Sequence, residues 1–109
     1  MNYHVVLTET ARQDLRDIAY DIAAGTQDKS VAKRFVNELR EETKQLEIFP
    51  NAGALPKDRI LKALGYRFIV VKDYLLFYLV DEQQKKVFVM AIFNGKRDYM
   101  RVMRKNLGF

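Results

Sequence analysis

The chain has 109 residues, 49% apolar and 30% charged, which is the size and balance of one globular domain spanning residues 1–109. It contains no cysteine and a single histidine, His4, which excludes disulfides, thiol nucleophiles and thiolate metal sites and leaves little for imidazole chemistry. The net charge of +5 is unevenly spread: residues 9–49 hold seven basic and nine acidic side chains, residues 50–109 twelve and five. Such a basic half favours an anionic partner, nucleic acid first, because Lys and Arg gain by displacing counterions from phosphates.

No apolar run approaches the roughly 18–20 residues of a membrane span, and MNYHVVLTETARQDL lacks a basic leader followed by an apolar stretch. No membrane contact and a cytoplasmic location are therefore expected.

In chain order, Tyr3 to Leu7 is a short β-branched run that reads as a strand, and the Thr-Glu-Thr after it offers hydroxyls to cap a helix. Ala11, Leu15, Ile18, Ala19, Ile22 and Ala23 then recur at helical spacing, with Gly25 as the expected stop. A second helix starts near Asp28 or Ser30, carries Ala32, Phe35, Leu39, Thr43 and Leu46 on one stripe, and must end before Pro50. The short link makes the two an antiparallel hairpin.

Residues 51–62, with Gly53 and Pro56, show no periodicity and read as an exposed loop. Residues 64–71, 74–80 and 86–93 read as three strands joined by Lys72-Asp73 and by a polar turn over 81–85, an antiparallel meander. The middle strand, LLFYLV, is apolar throughout and is expected to be central. After Asn94-Gly95, residues 96–109 read as a basic final helix with Tyr99, Val102 and Met103 facing inward. The expected fold is α+β, a helical hairpin on a twisted antiparallel sheet in the order β-α-α-β-β-β-α.

The segments VVLTETARQDLRDIAYDIA, AKRFVNELREETKQLEIFP with the following NAG, and YRFIVVKDYLLFYLVDEQQKKVFVMAIFNGKRDY resemble, in order and spacing, the RelE/ParE superfamily of type II toxin–antitoxin toxins. The resemblance implies a small toxin, of the kind linked to plasmid stabilization, neutralised by a cognate antitoxin. It also implies one of two activities. RelE-like members are metal-independent endoribonucleases that cleave mRNA on the ribosome; ParE-like members poison DNA gyrase and cleave nothing.

Metal-free RNA cleavage needs an oriented 2′-hydroxyl, stabilised phosphoryl oxygens and two proton transfers, and arginine suits the second task. By resemblance, Arg97 corresponds to the arginine after Gly-Lys in the ribonuclease members. Where those members read YRLVY, this chain has Leu75 in the place of the arginine, and the position of their later tyrosine falls near Met103. Arg67, on the neighbouring strand, can compensate if strand alternation turns it to the open face. The catalytic candidates are thus Arg67, Arg97 and Tyr99, with Lys96, Arg101, Arg104 and Lys105 as nucleic-acid-binding residues and no metal or other cofactor. Tyr66, Tyr74 and Tyr78 can stack on bases if exposed. The first reading is an mRNA-cleaving endoribonuclease acting on the ribosome; the alternatives are a ParE-like gyrase inhibitor or a degenerate antitoxin-binding module.

Overall fold

The protein is described here by a computed structural model, covering residues 2–108. The element order is β1 (His4–Leu7), α1 (Glu9–Thr26), α2 (Lys29–Ile48), α3 (Arg59–Ala63), β2 (Arg67–Val71), β3 (Tyr74–Asp81), β4 (Lys86–Asn94) and α4 (Tyr99–Asn106). Of the two threonines, Thr8 caps α1 by accepting from the Ala11 N–H. Gly25 does not stop that helix. It runs one residue further, and Gln27 takes the left-handed turn at φ 56° while the Thr26 hydroxyl donates to the Ile22 carbonyl. Asp28 caps α2, whose buried residues are Ala32, Phe35, Leu39, Thr43 and Leu46, the stripe its spacing predicts.

The four strands lie in the order β1-β4-β3-β2, so β3 and β4 are both central. The sheet is mixed, which corrects the antiparallel expectation. β2, β3 and β4 form the meander, but β1 pairs with β4 in parallel, His4 opposite Lys86 through Leu7 opposite Val89. The cause is topological: the helical hairpin carries the chain from β1 at one edge to β2 at the other, and the meander returns to β1 from the opposite side.

A β-bulge switches which residues of β4 face the hairpin. Phe77 pairs with Ala91 and Tyr78 with Val89, leaving Met90 as the extra residue. Before it Val87 and Val89 face the hairpin; after it Ile92 does, while Ala91 and Phe93 face the other way. The hairpin side holds Phe35, Leu39, Leu46, Leu76, Tyr78 and Ile92 among its buried residues. The opposite side is a separate core of Leu61, Tyr66, Phe77, Ala91, Phe93 and Met103, rich in aromatics, with the Phe77 and Phe93 rings stacked at 5.6 Å.

The segment read as an exposed loop is more ordered than its pattern implies. It contains α3, buries Gly53, Pro56, Asp58 and Leu61, and forms an isolated bridge from Ala54 to Phe68 on the outer edge of β2. A five-residue helix with one buried side chain is too short to show a helical period. The strand expected from residue 64 begins at Arg67, after a turn in which Gly65 adopts φ +93°. The expected final helix begins at Tyr99; its last expected residue, Phe109, lies outside the described residues. No helix among the described residues is long and apolar enough to cross a membrane.

Candidate functional site

Asp98 starts α4 as its N-cap, accepting from the Met100 and Arg101 N–H groups. Met103 is fully buried beneath the helix, with Tyr99, Val102 and Leu107 packed beside it. That face forces the cations outward, and Lys96, Arg97, Arg101, Arg104 and Lys105 are all exposed. Arg97, Arg101 and Lys105 line one open depression along the helix. Among the described residues these three and Lys96 form no ion pair, whereas Arg104 does.

The partner of Arg104 is Asp58. Its carboxylate is 1% exposed and receives Arg104 Nη2 at 2.9 Å while capping α3 through the Ile60 and Leu61 N–H groups. These bonds, that of Leu61 first, hold Asp58 below the ordinary carboxylate value of 3.8 despite the opposing cost of burial. A second tie lies one residue earlier: the Lys57 N–H donates to the Tyr99 hydroxyl at 3.0 Å. The Tyr99 ring lies 5.5 Å from Phe77 and 6.1 Å from Phe68. Tyr99 and Arg104 thus fasten α4 to a segment more than forty residues earlier in the chain.

Arg67 secures the other end of that segment. The buried Tyr78 hydroxyl donates to the Pro50 carbonyl at 2.7 Å and accepts from the Gly53 N–H at 2.9 Å, and Arg67 Nη1 donates to the Gly53 carbonyl at 3.0 Å. A Cβ on Gly53 would lie 2.5 Å from the Tyr78 hydroxyl and 2.9 Å from the Phe68 carbonyl, so the NAG turn requires glycine there for close approach. The alternation expectation for Arg67 is reversed. Ile69 and Val71 pack on the hairpin side and Phe68 on the other, so Arg67 shares the side that the helices cover.

Arg97 lies at the far corner of the sheet. Arg67 is opposite Tyr78, while Asn94, just before Arg97, is opposite Tyr74 on the second strand over. Four residues along the strands and two strands across put Asn94 ~13 Å and ~10 Å from Arg67 in the two directions, and Arg97 follows three residues beyond Asn94. The structure therefore does not bring Arg67, Arg97 and Tyr99 together. Arg97 instead borders a depression shared with Asp14, Asp17, Asp21, Tyr74 and Asn94. Asp14 accepts from the Ile92 N–H at 3.0 Å, satisfying the edge of β4 where β1 has ended, and burial raises its pKa above the ordinary 3.8.

The remaining expectations fall into place around this geometry. Tyr66 and Tyr78 are buried and present no stacking surface, whereas Tyr74 is partly buried, with its ring 4.9 Å from Phe35. Leu75 is packed within the second core. His4 is exposed at the start of β1. Among the described residues no group of three or more His, Cys, Asp or Glu side chains is arranged to hold a metal ion. Sequence reasoning missed Asp58, Gly53 and Tyr78. For Asp58 a signal existed, an Asp followed three residues later by the buried Leu61, the spacing of a helix N-cap.

A long helical hairpin on one face of a four-stranded sheet and a short basic helix on the other define the RelE/ParE toxin fold. The sequence matches the ParE toxin of type II toxin-antitoxin systems, parDE, over residues 5–99, and the chain belongs to that family. Among solved structures it is similar to the chromosomal ParDE system of P. aeruginosa, with a TM-score of 0.65 and 21% identity over 84% of this chain and 95% of that one. The RelBE2 toxin-antitoxin complex of Mycobacterium tuberculosis gives 0.57 and 21% over 86% and 99%. A mutant E. coli RelE toxin in the free state gives 0.62 and 17% over 96% and 98%. At these identities the structures establish the fold. No curated protein matches the sequence.

Proposed function

We propose that this toxin, held in check by a cognate antitoxin, acts by binding DNA gyrase and does not cut RNA. The observation that carries this reading is the dispersal of the candidate catalytic groups. In-line attack by a 2′-hydroxyl needs phosphate ligands and proton carriers within hydrogen-bond reach of one phosphorus. Arg67 is engaged by the Gly53 carbonyl on the side of the sheet that the hairpin covers, Tyr99 packs on the opposite core, and Arg97 lies at the far corner from Arg67, beside three aspartates that oppose an incoming phosphate. Leu75, packed in an apolar core, supplies no replacement. The match to the ParE family supports the same choice, and the related ParDE and RelBE2 structures support the antitoxin partner.

The ribonuclease reading retains one specific support, the exposed Arg97, Arg101 and Lys105 along a single depression, which suits mRNA or the ribosome. Induced expression separates the two. The expected outcome is gyrase-dependent DNA breakage with ribosome-bound mRNA intact. Site-specific mRNA cleavage that disappears in Arg97→Ala, without DNA breakage, would reverse the assignment.

A further inference from the structure

We infer that residues 57–59, at the start of α3, and the helix α4 together form one cationic face that contacts the phosphates of duplex DNA. The inference rests on the gyrase reading, because an enzyme that works on duplex DNA puts that duplex beside the bound toxin. Two segments distant in sequence meet here. The Lys57 N–H is bonded to the Tyr99 hydroxyl at the start of α4, and Asp58 is paired with Arg104 in its last turns. Lys57 and Arg59, on either side of Asp58, are exposed, as are Arg97, Arg101 and Lys105.

The carboxylates in these segments cancel only part of that charge. Asp58 is buried with its oxygens committed to Ile60, Leu61 and Arg104, while Asp98, the cap of α4, is exposed in the same depression as Arg101 and Lys105 and offsets one of their charges. Arg104 is paired with Asp58 and Arg97 also borders Asp14, Asp17 and Asp21, so the cations left to act outward are Lys57, Arg59, Arg101 and Lys105.

The clustering of cations favours a polyanion, because such a cluster gains by displacing condensed counterions from phosphates. Residues four apart on a helix rise by ~6 Å, so Arg101 and Lys105 stand in line along one side of α4. The cations contributed by a second segment widen the face beyond α4. Phosphate contacts of this kind add affinity without reading sequence.

The test is binding of the full chain to a short fluorescent DNA duplex of mixed sequence, measured as affinity against salt. Each phosphate neutralised contributes about 0.9 to the slope of log affinity against log salt. Lys57→Ala with Arg59→Ala should lower the slope by about two, Arg101→Ala with Lys105→Ala should do the same, and the four together should add. All four positions are exposed, and circular dichroism of each variant checks that folding is kept.

A slope moved only by the α4 pair would overturn the composite face while leaving α4 as a DNA contact. No salt-dependent duplex binding, or salt-dependent binding only to the cognate antitoxin, would overturn the inference altogether. Gyrase-dependent DNA breakage by the wild-type protein, assayed alongside, tells that failure from failure of the gyrase reading. If breakage persists without direct duplex binding, the toxin acts on gyrase protein alone.

Discussion

On one face of the sheet a hairpin of 18- and 20-residue helices buries Phe35, Leu39 and Leu46 in a broad aliphatic layer. On the other, helices of five and eight residues cover an aromatic cluster and are fastened by single polar bonds, Asp58 to Arg104 and Lys57 to Tyr99. Long amphipathic helices draw their stability from continuous apolar burial, whereas a helix of two turns is marginal without such ties. The first face is the scaffold. The second holds the basic surface in place and is the one where a single polar change has a visible consequence.

The largest expected effect sharpens that contrast. Leu39 and Met103 are equally buried, at 2% and 1% exposure, one under each cover. Leu39→Ala opens a cavity inside the hairpin layer, where neither long helix can move away, and should cost about 2–5 kcal/mol in urea unfolding. Met103→Ala removes a comparable side chain from under a helix that can detach. Its global cost should be smaller, and hydrogen exchange should show α4 opening ahead of the rest of the fold. Equal global losses with no selective exchange in α4 would show the two faces to be one cooperative unit.

The Asp58 clamp gives the next effect. A carboxyl held below its ordinary pKa in the folded state contributes stability at pH values above the unfolded value, and loses it as pH falls through the folded one. With Asp58 held below 3.8, its contribution should be complete at neutral pH and vanish only in strong acid. Asp58→Asn should therefore lower the thermal midpoint at pH 7, and the gap from wild type should close below pH 3.8. A pH-independent difference would assign the loss to capping geometry alone. Arg104→Ala leaves the buried Asp58 carboxylate short of one partner, whereas after Asp58→Asn the 49%-exposed Arg104 can return to water, so Arg104→Ala should cost at least as much as Asp58→Asn.

The same contrast explains what could be read in advance. Helical spacing carries the hairpin: Ala32, Phe35, Leu39, Thr43 and Leu46 are periodic over four turns, and all are buried. The apolar LLFYLV strand is central, as expected. The second face escapes such reading because its ties join residues 42 and 46 positions apart, and no local pattern records a pairing at that range. Arg67 shows the same limit at the site. Alternation correctly groups it with Ile69 and Val71, but which of the two groups the hairpin covers depends on the whole sheet. The parallel pairing of β1 likewise follows from the route of the chain and not from any residue in that strand.

The smallest effect runs opposite to the others, toward greater stability. Asp14 holds the Ile92 N–H where β1 no longer covers β4, a task that needs only an oxygen, yet it brings a charge into a half-buried position near Asp17. Burial is the first cause of its raised pKa and the Asp17 charge adds to it, while the Ile92 bond and Arg97 act against them. A group whose folded pKa is raised contributes its full stability below the unfolded value near 3.8 and loses it as pH rises through the folded one, so at neutral pH the ionised form is a net cost. Asn in its place keeps a carbonyl oxygen for Ile92 and carries no charge to desolvate. Asp14→Asn should therefore raise the thermal midpoint slightly at pH 7, with the gain fading as pH approaches 3.8. A lower midpoint at pH 7 would mean that the Arg97 attraction outweighs burial, and would make Asp14 a partner that holds Arg97 at the edge of the cationic face.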